Sequence, residues 1–426
     1  MTQHTRSMRR VFAPAAVSLL AAGALVLSGC TPAPVEEATE ISLFFPVAES
    51  GDNPYKALAD AFMEANPDFT INVEEAGGDT YAQSLATKLQ AGNAPDVFMT
   101  APGRGQLNSV LTLAEAGYLA SLDDTAAATT IPAGTEANFE IDGTVYAQGL
   151  DFTVAAIVAN LAIMKADGLE GYPETYDDLL DACAVARDNG RSFFVIAGAM
   201  QPNTGFFSMV MAGDLVYGPN PNWNVERQAD EVTFADDSGW QATLERFTEL
   251  NEAGCFQDAP EAGTFDTITN SLVGETAYAG AIPSGAAFGL GGANPNAEFV
   301  VNPFPAESAD DAVVSASVNY ALSVNAKSSP GAIALAKTFL EFASGEGSGV
   351  YPAISGNLPV VGADFGALPP QYGGVAQLLT DGKTYALPNS GWESPEVYSA
   401  LGTGVQGILT GQASVEDVLA EMDSAW

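Results

Sequence analysis

The feature that most constrains this chain is an alternation of strand and helix patterns between residues 41 and 114. At its centre a helical pattern at 81–91 meets a stop at Gly92 and a break at Pro95, and a short apolar strand follows at 96–100. The strand–helix order, repeated three times, predicts a mainly parallel sheet with right-handed crossovers. Ligands of such sheets bind beyond the carboxyl ends of the strands. Here those ends are the loops 46–52, 76–80 and 101–105.

The beginning of the chain has the pattern of an export signal. Three arginines precede an apolar run at 11–27 that is too short for a comfortable membrane span. The run ends in Leu27-Ser28-Gly29-Cys30, which is similar to a bacterial lipobox, whose cysteine is lipidated. The alternative is a plain signal peptide with a chance cysteine. The sequence thus predicts a signal peptide at 1–29, a lipid-anchored linker at 30–40 and a location on the extracytoplasmic face of the cell membrane.

Composition excludes several classes of function. Lys and Arg number 14 against 53 Asp and Glu, so the formal net charge is −39, and we expect no nucleic-acid partner. The single histidine, His4, lies inside the signal. The exported chain therefore lacks the histidine that Ser-His-Asp and Cys-His catalysis and His-containing metal sites require. Besides Cys30, only Cys183 and Cys255 remain, and in an exported protein they can form one disulfide, two free thiols being the alternative.

Several motifs, in order, carry a family resemblance. The run Ala91-Gly92-Asn93-Ala94-Pro95-Asp96-Val97 resembles the "A-G-x-x-P-D-V" segment of extracellular solute-binding proteins of the maltose-binding type, which feed ABC importers. Similar matches follow as "D-G-x-x-Y", "P-x-T-[WY]-x-[DE]-L", "G-x-[LI]-P" and "G-x-x-S-x-E-x-[AV]-L". They stand at 142–146, 173–179, 356–359 and 411–419. Together the motifs cover nearly all of residues 41–422.

The resemblance implies a two-domain, periplasmic-binding-protein-like α/β fold. Each domain is expected to be a mainly parallel sheet flanked by helices. The first domain would comprise 41–148 and 303–347, and the second 149–302 and 348–426. Hinge segments near 148–151, 302–305 and 345–350 would let the two domains close on a solute.

Candidate solute-binding residues are polar or aromatic side chains in the loops expected at the cleft. Carboxylates and amides there can hydrogen-bond sugar hydroxyls, and aromatic rings can stack on the apolar faces of sugars. The candidates are Glu49, Asp79, Arg104, Asp151, Gln201, Asn203, Ser284, Asn357, Trp392 and Tyr398. The alternative for each polar residue is an ordinary loop position, and for Trp392 and Tyr398 it is core packing.

Two departures from the family pattern affect the expected ligand. Ala159 stands where the family usually has the tyrosine of "Y-N", and Pro283-Ser284-Gly285 stands where it has "G-x-W". Both usual aromatics would then be missing from the cleft. This leaves room for a solute that is bulkier than maltose or stacked differently.

Two other patterns have simpler explanations than chemistry. Gly402–Gly407 matches G-x-G-x-x-G, but a helix start at 394–398 precedes it instead of the strand that a dinucleotide site needs, so close helix packing is expected. Adjacent acids such as Asp177-Asp178 could suggest glycosidase carboxylates, but in a chain with 53 acids they indicate helix caps and solvated faces. We expect no cofactor and no bound metal.

The sequence as a whole predicts a monomeric substrate-binding lipoprotein, and not an enzyme. It would capture a small-molecule solute, with a carbohydrate expected, and deliver it to the permease subunits of an ABC transporter. One alternative is a binding protein of the same fold for a polyamine, a peptide or a phosphoester. A second alternative, a secreted lipoprotein hydrolase, is disfavoured by the missing histidine and nucleophile motif. The identity of the solute depends on a few loop side chains that the shared scaffold does not specify.

Overall fold

The computed structural model describes residues 37–48, 52–78, 80–131, 135–361 and 366–426, which belong to one compact unit. Three of the residues singled out from the sequence, Cys30, Glu49 and Asp79, lie outside the described residues, as does the predicted signal peptide. Within the described ranges no helix has both the length and the apolar character needed to cross a membrane.

Helices and strands alternate along most of the described chain. The helices are α1 Pro54–Ala65, α2 Tyr81–Ala91, α3 Val110–Glu115, α4 Ala127–Thr130, α5 Leu161–Ala166, α6 Tyr176–Asp188, α7 Gln201–Ala212, α8 Trp223–Gln228, α9 Ser238–Glu252, α10 Phe265–Val273, α11 Ala286–Ala293, α12 Pro330–Ser344, α13 Val350–Ser355, α14 Ala376–Thr380, α15 Pro395–Thr410 and α16 Val415–Ala425. The strands are β1 Glu40–Pro46, β2 Thr70–Ala76, β3 Val97–Thr100, β4 Glu140–Ile141, β5 Thr144–Val145, β6 Gln148–Gly149, β7 Asp151–Asn160, β8 Ser192–Val195, β9 Ala277–Pro283, β10 Phe299–Asn302, β11 Val314–Val318, β12 Ala321–Val324, β13 Leu358–Pro359 and β14 Thr384–Tyr385.

Local sequence signals set the ends of the helices. The side chain of Asn53 accepts hydrogen bonds from the first backbone N–H groups of α1, with Pro54 in the first turn. Helix α2 ends at Gly92 in the left-handed conformation, at φ +71°. Thr175 caps α6 by accepting from the backbone N–H of Asp178. The end of α2 at Gly92 is the one that the sequence pattern predicts.

The first domain is built on a five-stranded sheet in the order β2-β1-β3-β12-β6. Strands β1, β2 and β3 run parallel, with Glu40 opposite Thr70 and Pro46 opposite Ala76. Strand β12 is antiparallel to both β3 and β6. Helices α1, α2 and α12 bury their apolar faces against this sheet, in a core that includes Phe62, Leu85 and Phe339.

The second domain is built on a seven-stranded sheet whose central strand is β7. Strand β7 pairs antiparallel with β9, β10, β11 and β13, whereas β8 with β9 and β11 with β14 are parallel pairs. Ala155, Ile157 and Ala159 face one hydrophobic core, and Val154 and Val158 face the other. Successive strand residues point to opposite faces, so this continuous apolar run is buried on both sides.

The predicted two-domain α/β fold is confirmed, but the two sheets are mixed instead of mainly parallel. The local strand–helix units give parallel pairs, as expected for such crossovers. Strands β7 and β12, which enter their sheet from the other domain, instead run antiparallel to their neighbours. Residues 314–324 accordingly form two strands, β11 and β12, one in each sheet.

Three passages of the chain connect the domains. They lie between β6 and β7, between β11 and β12, and between α13 and β13. The sequence placed the second and third passages earlier, near 302–305 and 345–350. They come later because β10 and β11 first extend the second sheet, and because α13 still packs on α1 of the first domain.

A disulfide ties two helical segments of the second domain together. Cys183, in α6, is bonded to Cys255, which follows α9, and their Cα atoms are 4.9 Å apart. Both residues are fully buried in the core that faces α6, α7 and α9. Because the bridge spans 72 residues, the chain-entropy model assigns it about 4 kcal/mol of stabilisation.

Candidate functional site

The candidate site is a cavity between the two domains. Loops that follow β3 and precede β4 contribute from the first domain, the turn at 387–390 contributes from the second, and the passage between β11 and β12 forms one wall. The lining residues are Pro102, Gln106, Thr135, Asn138, Phe139, Thr153, Ser317, Val318, Asn319, Tyr320, Leu387, Asn389 and Ser390. The cavity volume is ≈ 50 Å³. This is the space of a few water molecules. Ligand pockets, by comparison, measure about 300–1,000 Å³.

The cavity wall is polar but uncharged. None of its lining residues, all within the described ranges, is Asp, Glu, Lys or Arg, although the whole chain carries a formal net charge of −39. Four of them carry carboxamides, and two of the others are aromatic. A carboxamide offers two N–H donors and a carbonyl acceptor. The wall therefore suits a neutral partner that both donates and accepts hydrogen bonds.

Three of these carboxamides have unused hydrogen-bonding capacity. The side chains of Gln106, Asn138 and Asn389, called here the cleft-wall amides, make no hydrogen bond to any other described residue. Asn389 is only 3% exposed. The polar atoms of these three side chains are not among the fully buried ones that lack a partner, so they remain open to water or a ligand. These amides are therefore available to an occupant of the cleft.

Three sequence candidates meet beside this cavity in a network of hydrogen bonds, called here the hinge network. Asn357 donates from Nδ2 to Asp151 Oδ2 over 2.7 Å and accepts at Oδ1 from Ser284 Oγ over 3.0 Å. Ser355 Oγ also donates to Asp151, and Tyr372 and Thr153 contact Ser284. Asp151 is fully buried, while its own backbone carbonyl accepts from the N–H of Asn319. One residue thereby joins all three interdomain passages.

Burial controls the protonation of Asp151. Removal of the carboxyl from water raises the pKa of Asp151 from its usual 3.8 to about 6, against the opposing effect of the hydrogen bonds from Asn357 and Ser355. Oxygen Oδ1 is buried and has no hydrogen-bond partner among the described residues. An unpaired carboxylate oxygen favours the protonated form, which can donate. Asp151 is thus a carboxyl with a raised pKa at the place where the three interdomain passages meet.

The predicted stacking aromatics lie in or against the core of the second domain. Trp392 is fully buried, with its ring centroid 5.8 Å from that of Phe234 and 6.1 Å from that of Trp240. Tyr398 is half-buried, its hydroxyl donates to the carbonyl of Pro202 over 2.6 Å, and burial raises its pKa. This is the location that the core-packing alternative predicts. Solute stacking by either ring stays a prediction.

The side chains of two further candidates, Arg104 and Asn203, are hydrogen-bonded to other residues of this protein. Arg104 lies in the loop after β3, but its guanidinium forms two hydrogen bonds to Glu115 on the same domain. Asn203 accepts from the N–H of Ala197 and donates to the carbonyl of Ala281, so its amide links the segment after β8 to β9. Gln201 begins helix α7. Solute contact by these residues is not tested by their position and stays a prediction.

Ala159 has a different position from the one that the sequence suggested. It is fully buried near the far end of β7, opposite Ala279 and Val300. Thr153, which does line the cavity, lies about 20 Å away along the strand. The missing aromatic at 159 therefore has no bearing on the cleft in this protein.

The cleft-wall amides were missed from the sequence. Gln106 directly follows a loop that was identified as a strand end, so a window one residue wider would have included it. Asn138 and Asn389 lie in irregular segments that carry no motif. The tightly packed G-x-G-x-x-G run, by contrast, lies within α15, where Gly402 has no room for a side chain because of the Gln201 carbonyl.

A second groove, on the outer face of the second domain, is a poorer candidate. It is larger, at ≈ 560 Å³, but open, and glutamates line much of it. Its basic group, Arg246, already pairs with Asp214 at 2.9 Å and with Glu307 at 2.6 Å. In the described part of the chain, moreover, no three acidic, histidine or cysteine side chains converge as metal ligands would.

Two α/β domains, three connecting passages and a cleft between the domains define a solute-binding architecture. The model of the family described as bacterial extracellular solute-binding protein matches residues 48–350. The chain belongs to this family, and the resemblance to its maltose-binding type is confirmed. The family's role is solute binding, not catalysis, and its location is extracytoplasmic.

Solved structures share the fold over nearly the whole chain. A family 1 extracellular solute-binding protein from Bifidobacterium longum subsp. infantis is 20% identical, with a TM-score of 0.68 over 92% of this chain and 99% of its own. A sugar transporter from Bacillus licheniformis, in complex with stachyose, is 19% identical, with a TM-score of 0.72 over 91% and 99%. The GacH receptor of Streptomyces glaucescens, solved unliganded and with acarbose, is 18% identical, with a TM-score of 0.71 over 91% and 98%. No curated protein sequence matches the chain.

Proposed function

We propose that this protein captures an uncharged carbohydrate between its two domains and delivers it, chemically unchanged, to an ABC transporter permease. The observation that carries the proposal is the composition of the cleft wall. Carboxamides, hydroxyls and rings line it, and no charged side chain does so among the described residues. Sugar hydroxyls both donate and accept hydrogen bonds, as carboxamides do, and sugar rings have apolar faces that suit the ring of Tyr320.

The lack of charged side chains among the described residues of the cleft wall favours a sugar over the other solutes that this fold can accept. A polyamine calls for carboxylates, and a phosphoester calls for arginine, lysine or a helix N-terminus. Arg104, which lies in the loop between the lining residues Pro102 and Gln106, is already paired with Glu115. Two structural neighbours were solved with stachyose and with acarbose, which agrees with a carbohydrate ligand here.

The remaining parts of the proposal concern the membrane. The lipobox-like Leu27–Cys30 segment supports anchoring through a lipidated Cys30, which would keep the receptor beside a permease. The linker at 30–40 would act as a tether. The soluble body would act as a monomer, with the permease recognising its sugar-loaded form.

A ligand panel tests the proposed function. Purified protein lacking residues 1–29 is mixed with maltotriose, raffinose, stachyose, spermidine, glycerol 3-phosphate and a tripeptide, and its melting temperature is measured with each. We expect at least one uncharged sugar to stabilise the protein, by about 2.7 kcal/mol at 100 times its dissociation constant. Stabilisation by spermidine, by the phosphoester or by the peptide alone would contradict a neutral carbohydrate ligand.

A further inference from the structure

Helix α8 holds the turn at 388–391, called here the cleft turn, which carries one of the cleft-wall amides. Asn224 of this helix donates from Nδ2 to the carbonyl of Pro388 over 2.8 Å. Gln228 donates from Nε2 to the carbonyl of Gly391 over 3.0 Å. The two amides are four residues apart, so they lie on the same face of the helix. Both ends of the cleft turn are thereby tied to one element, although neither amide lines the cavity itself.

The orientation of the Asn224 amide is fixed at both of its ends. The carbonyl of Pro388 can only accept a hydrogen bond, so the nitrogen of the amide must face it. The oxygen Oδ1 of Asn224 accepts from the hydroxyl of Tyr217 over 3.1 Å. Burial raises the pKa of Tyr217 well above its usual value, so this hydroxyl keeps its proton and donates. Tyr217 is held in turn by stacking on Tyr385, with the two ring centroids 5.6 Å apart.

Helix α8 is itself fixed to the rest of the second domain. The indole N–H of Trp223 donates to Asp237 at the start of α9, over 2.9 Å. The guanidinium of Arg227 lies over the ring of Trp426, 4.9 Å from its centroid, and pairs with Asp423 of α16 at 3.4 Å. Both helix residues are buried. The cleft turn is therefore bound to an element that the domain core already holds in place.

The side chain of Asn389, by contrast, has no such restraint of its own. Its amide makes no hydrogen bond to another described residue, so its position depends on the backbone of the cleft turn. A binding group that has to be ordered when the solute arrives costs conformational entropy, and a group that is already in place costs less. Residues that fix the cleft turn should therefore raise the affinity for the solute without touching it.

We infer that Asn224 and Gln228 are positioning residues for solute binding, which hold the cleft turn so that Asn389 meets the solute in one orientation. Tyr217 contributes by fixing Asn224. The inference rests on the proposed function, because the solute is the sugar of that cleft. Asn224 is half-buried and Gln228 is exposed, so water competes less for the hydrogen bond of Asn224. Loss of Asn224 should therefore cost more affinity than loss of Gln228.

Hydrogen exchange tests the support of the turn without any ligand. The backbone N–H groups of Ser390 and Trp392 donate to carbonyls of the same segment, and they exchange when the turn opens. In Asn224→Ala their exchange should be about three- to tenfold faster than in wild type, since one restraining hydrogen bond is lost. The control is Val225→Ala on the same helix, which should exchange at the wild-type rate because Val225 is 64% exposed. Unchanged exchange of both groups in Asn224→Ala would overturn the inference.

The second measurement is calorimetric titration with maltotriose, raffinose and stachyose. We expect Asn224→Ala to bind about three- to tenfold more weakly than wild type, Gln228→Ala about twofold more weakly, and Val225→Ala as wild type does. Wild-type affinity of Asn224→Ala would overturn the positioning role. If hydrogen exchange separates the variants but no sugar binds wild type or any variant, the proposed carbohydrate function fails and the support of the cleft turn by α8 stands.

A carboxylate variant gives a readout that a mere loss of packing would not produce. In Asn224→Asp the ionised side chain still accepts from Tyr217 but cannot donate to the Pro388 carbonyl, whereas the protonated side chain can. The dissociation constant of the variant should therefore be about three- to tenfold that of wild type at about pH 8, and should approach the wild-type value at about pH 4. Titration elsewhere, including that of Asp151, affects both proteins and cancels in the ratio. A ratio that is the same at both pH values would overturn the role of Asn224 as the donor that positions the turn.

Discussion

The hinge network and the cleft-wall amides lie side by side, and both contain carboxamide side chains. In the hinge network, Asn357 uses both ends of its amide, on Asp151 and on Ser284. In the cleft wall, Asn138 and Asn389 use neither end on any described residue. The comparison teaches that polarity alone does not distinguish a binding residue from a structural one. What distinguishes them is whether the protein already occupies the hydrogen-bonding capacity of the side chain.

The largest expected effect is that of replacing Trp392. This replacement tests whether the aromatic candidate belongs to the core or to the cleft. Trp392→Ala should lower the free energy of unfolding by about 3–5 kcal/mol, because it leaves a cavity in a fully buried aromatic cluster. Guanidinium denaturation measures the loss. The control is Phe288→Ala. Because Phe288 is 53% exposed, this substitution should lower the free energy of unfolding by less than about 1 kcal/mol. Unchanged stability with lost sugar binding would instead place Trp392 at the solute.

The next effect concerns the charge at the hinge network. The folded pKa of Asp151, about 6, is above the usual 3.8, so between these values the folded state holds a proton that the unfolded state lacks. The contribution of Asp151 to stability is therefore complete below about pH 4 and lost as pH rises through 6, a change of roughly 3 kcal/mol. The groups around this carboxyl are Asn357, Ser355 and Asn319, with the tyrosines Tyr55, Tyr351 and Tyr372 further out.

Asp151→Asn is the variant that isolates this titration. The free energy of unfolding of both proteins is measured in urea from pH 4 to pH 8. The wild-type value minus the variant value should fall between pH 4 and pH 6. Carboxylates elsewhere, such as Glu115 with its lowered pKa, contribute equally to both proteins and cancel. Parallel profiles for the two proteins would mean that the hinge carboxyl does not titrate in this range.

The smallest expected effect is the most direct test of the comparison. Asn389→Ala should weaken sugar binding by about 1–2 kcal/mol, or roughly 5- to 30-fold, while the free energy of unfolding changes by less than about 0.5 kcal/mol. Asn357→Ala should show the reverse order, because it leaves Asp151 and Ser284 without a partner in the protein interior. Titration calorimetry and urea denaturation of both variants give the two quantities. Equal losses of stability in both variants would remove the distinction.

Local signals made much of the fold predictable. The helix predicted at 81–91 is α2, Tyr81–Ala91, and the strand predicted at 96–100 is β3, Val97–Thr100. The periodic apolar face, the glycine stop and the proline break all act within a few residues, so neighbours in sequence are sufficient. The interdomain passages were placed less well, since the pairing of β11 with β7 joins segments that are far apart in the chain.

By itself the sequence determined the order of strands and helices, the two-domain class and the family. Those properties follow from periodicity, capping and motif order, which act over short stretches of chain. Only the tertiary structure decided which polar side chains are free to bind. Asp151 and Asn357 are in contact with each other, whereas Asn138 and Asn389 face a common cavity from opposite domains. Whether an amide is satisfied depends on partners that distant segments bring to it, and no local pattern records those partners.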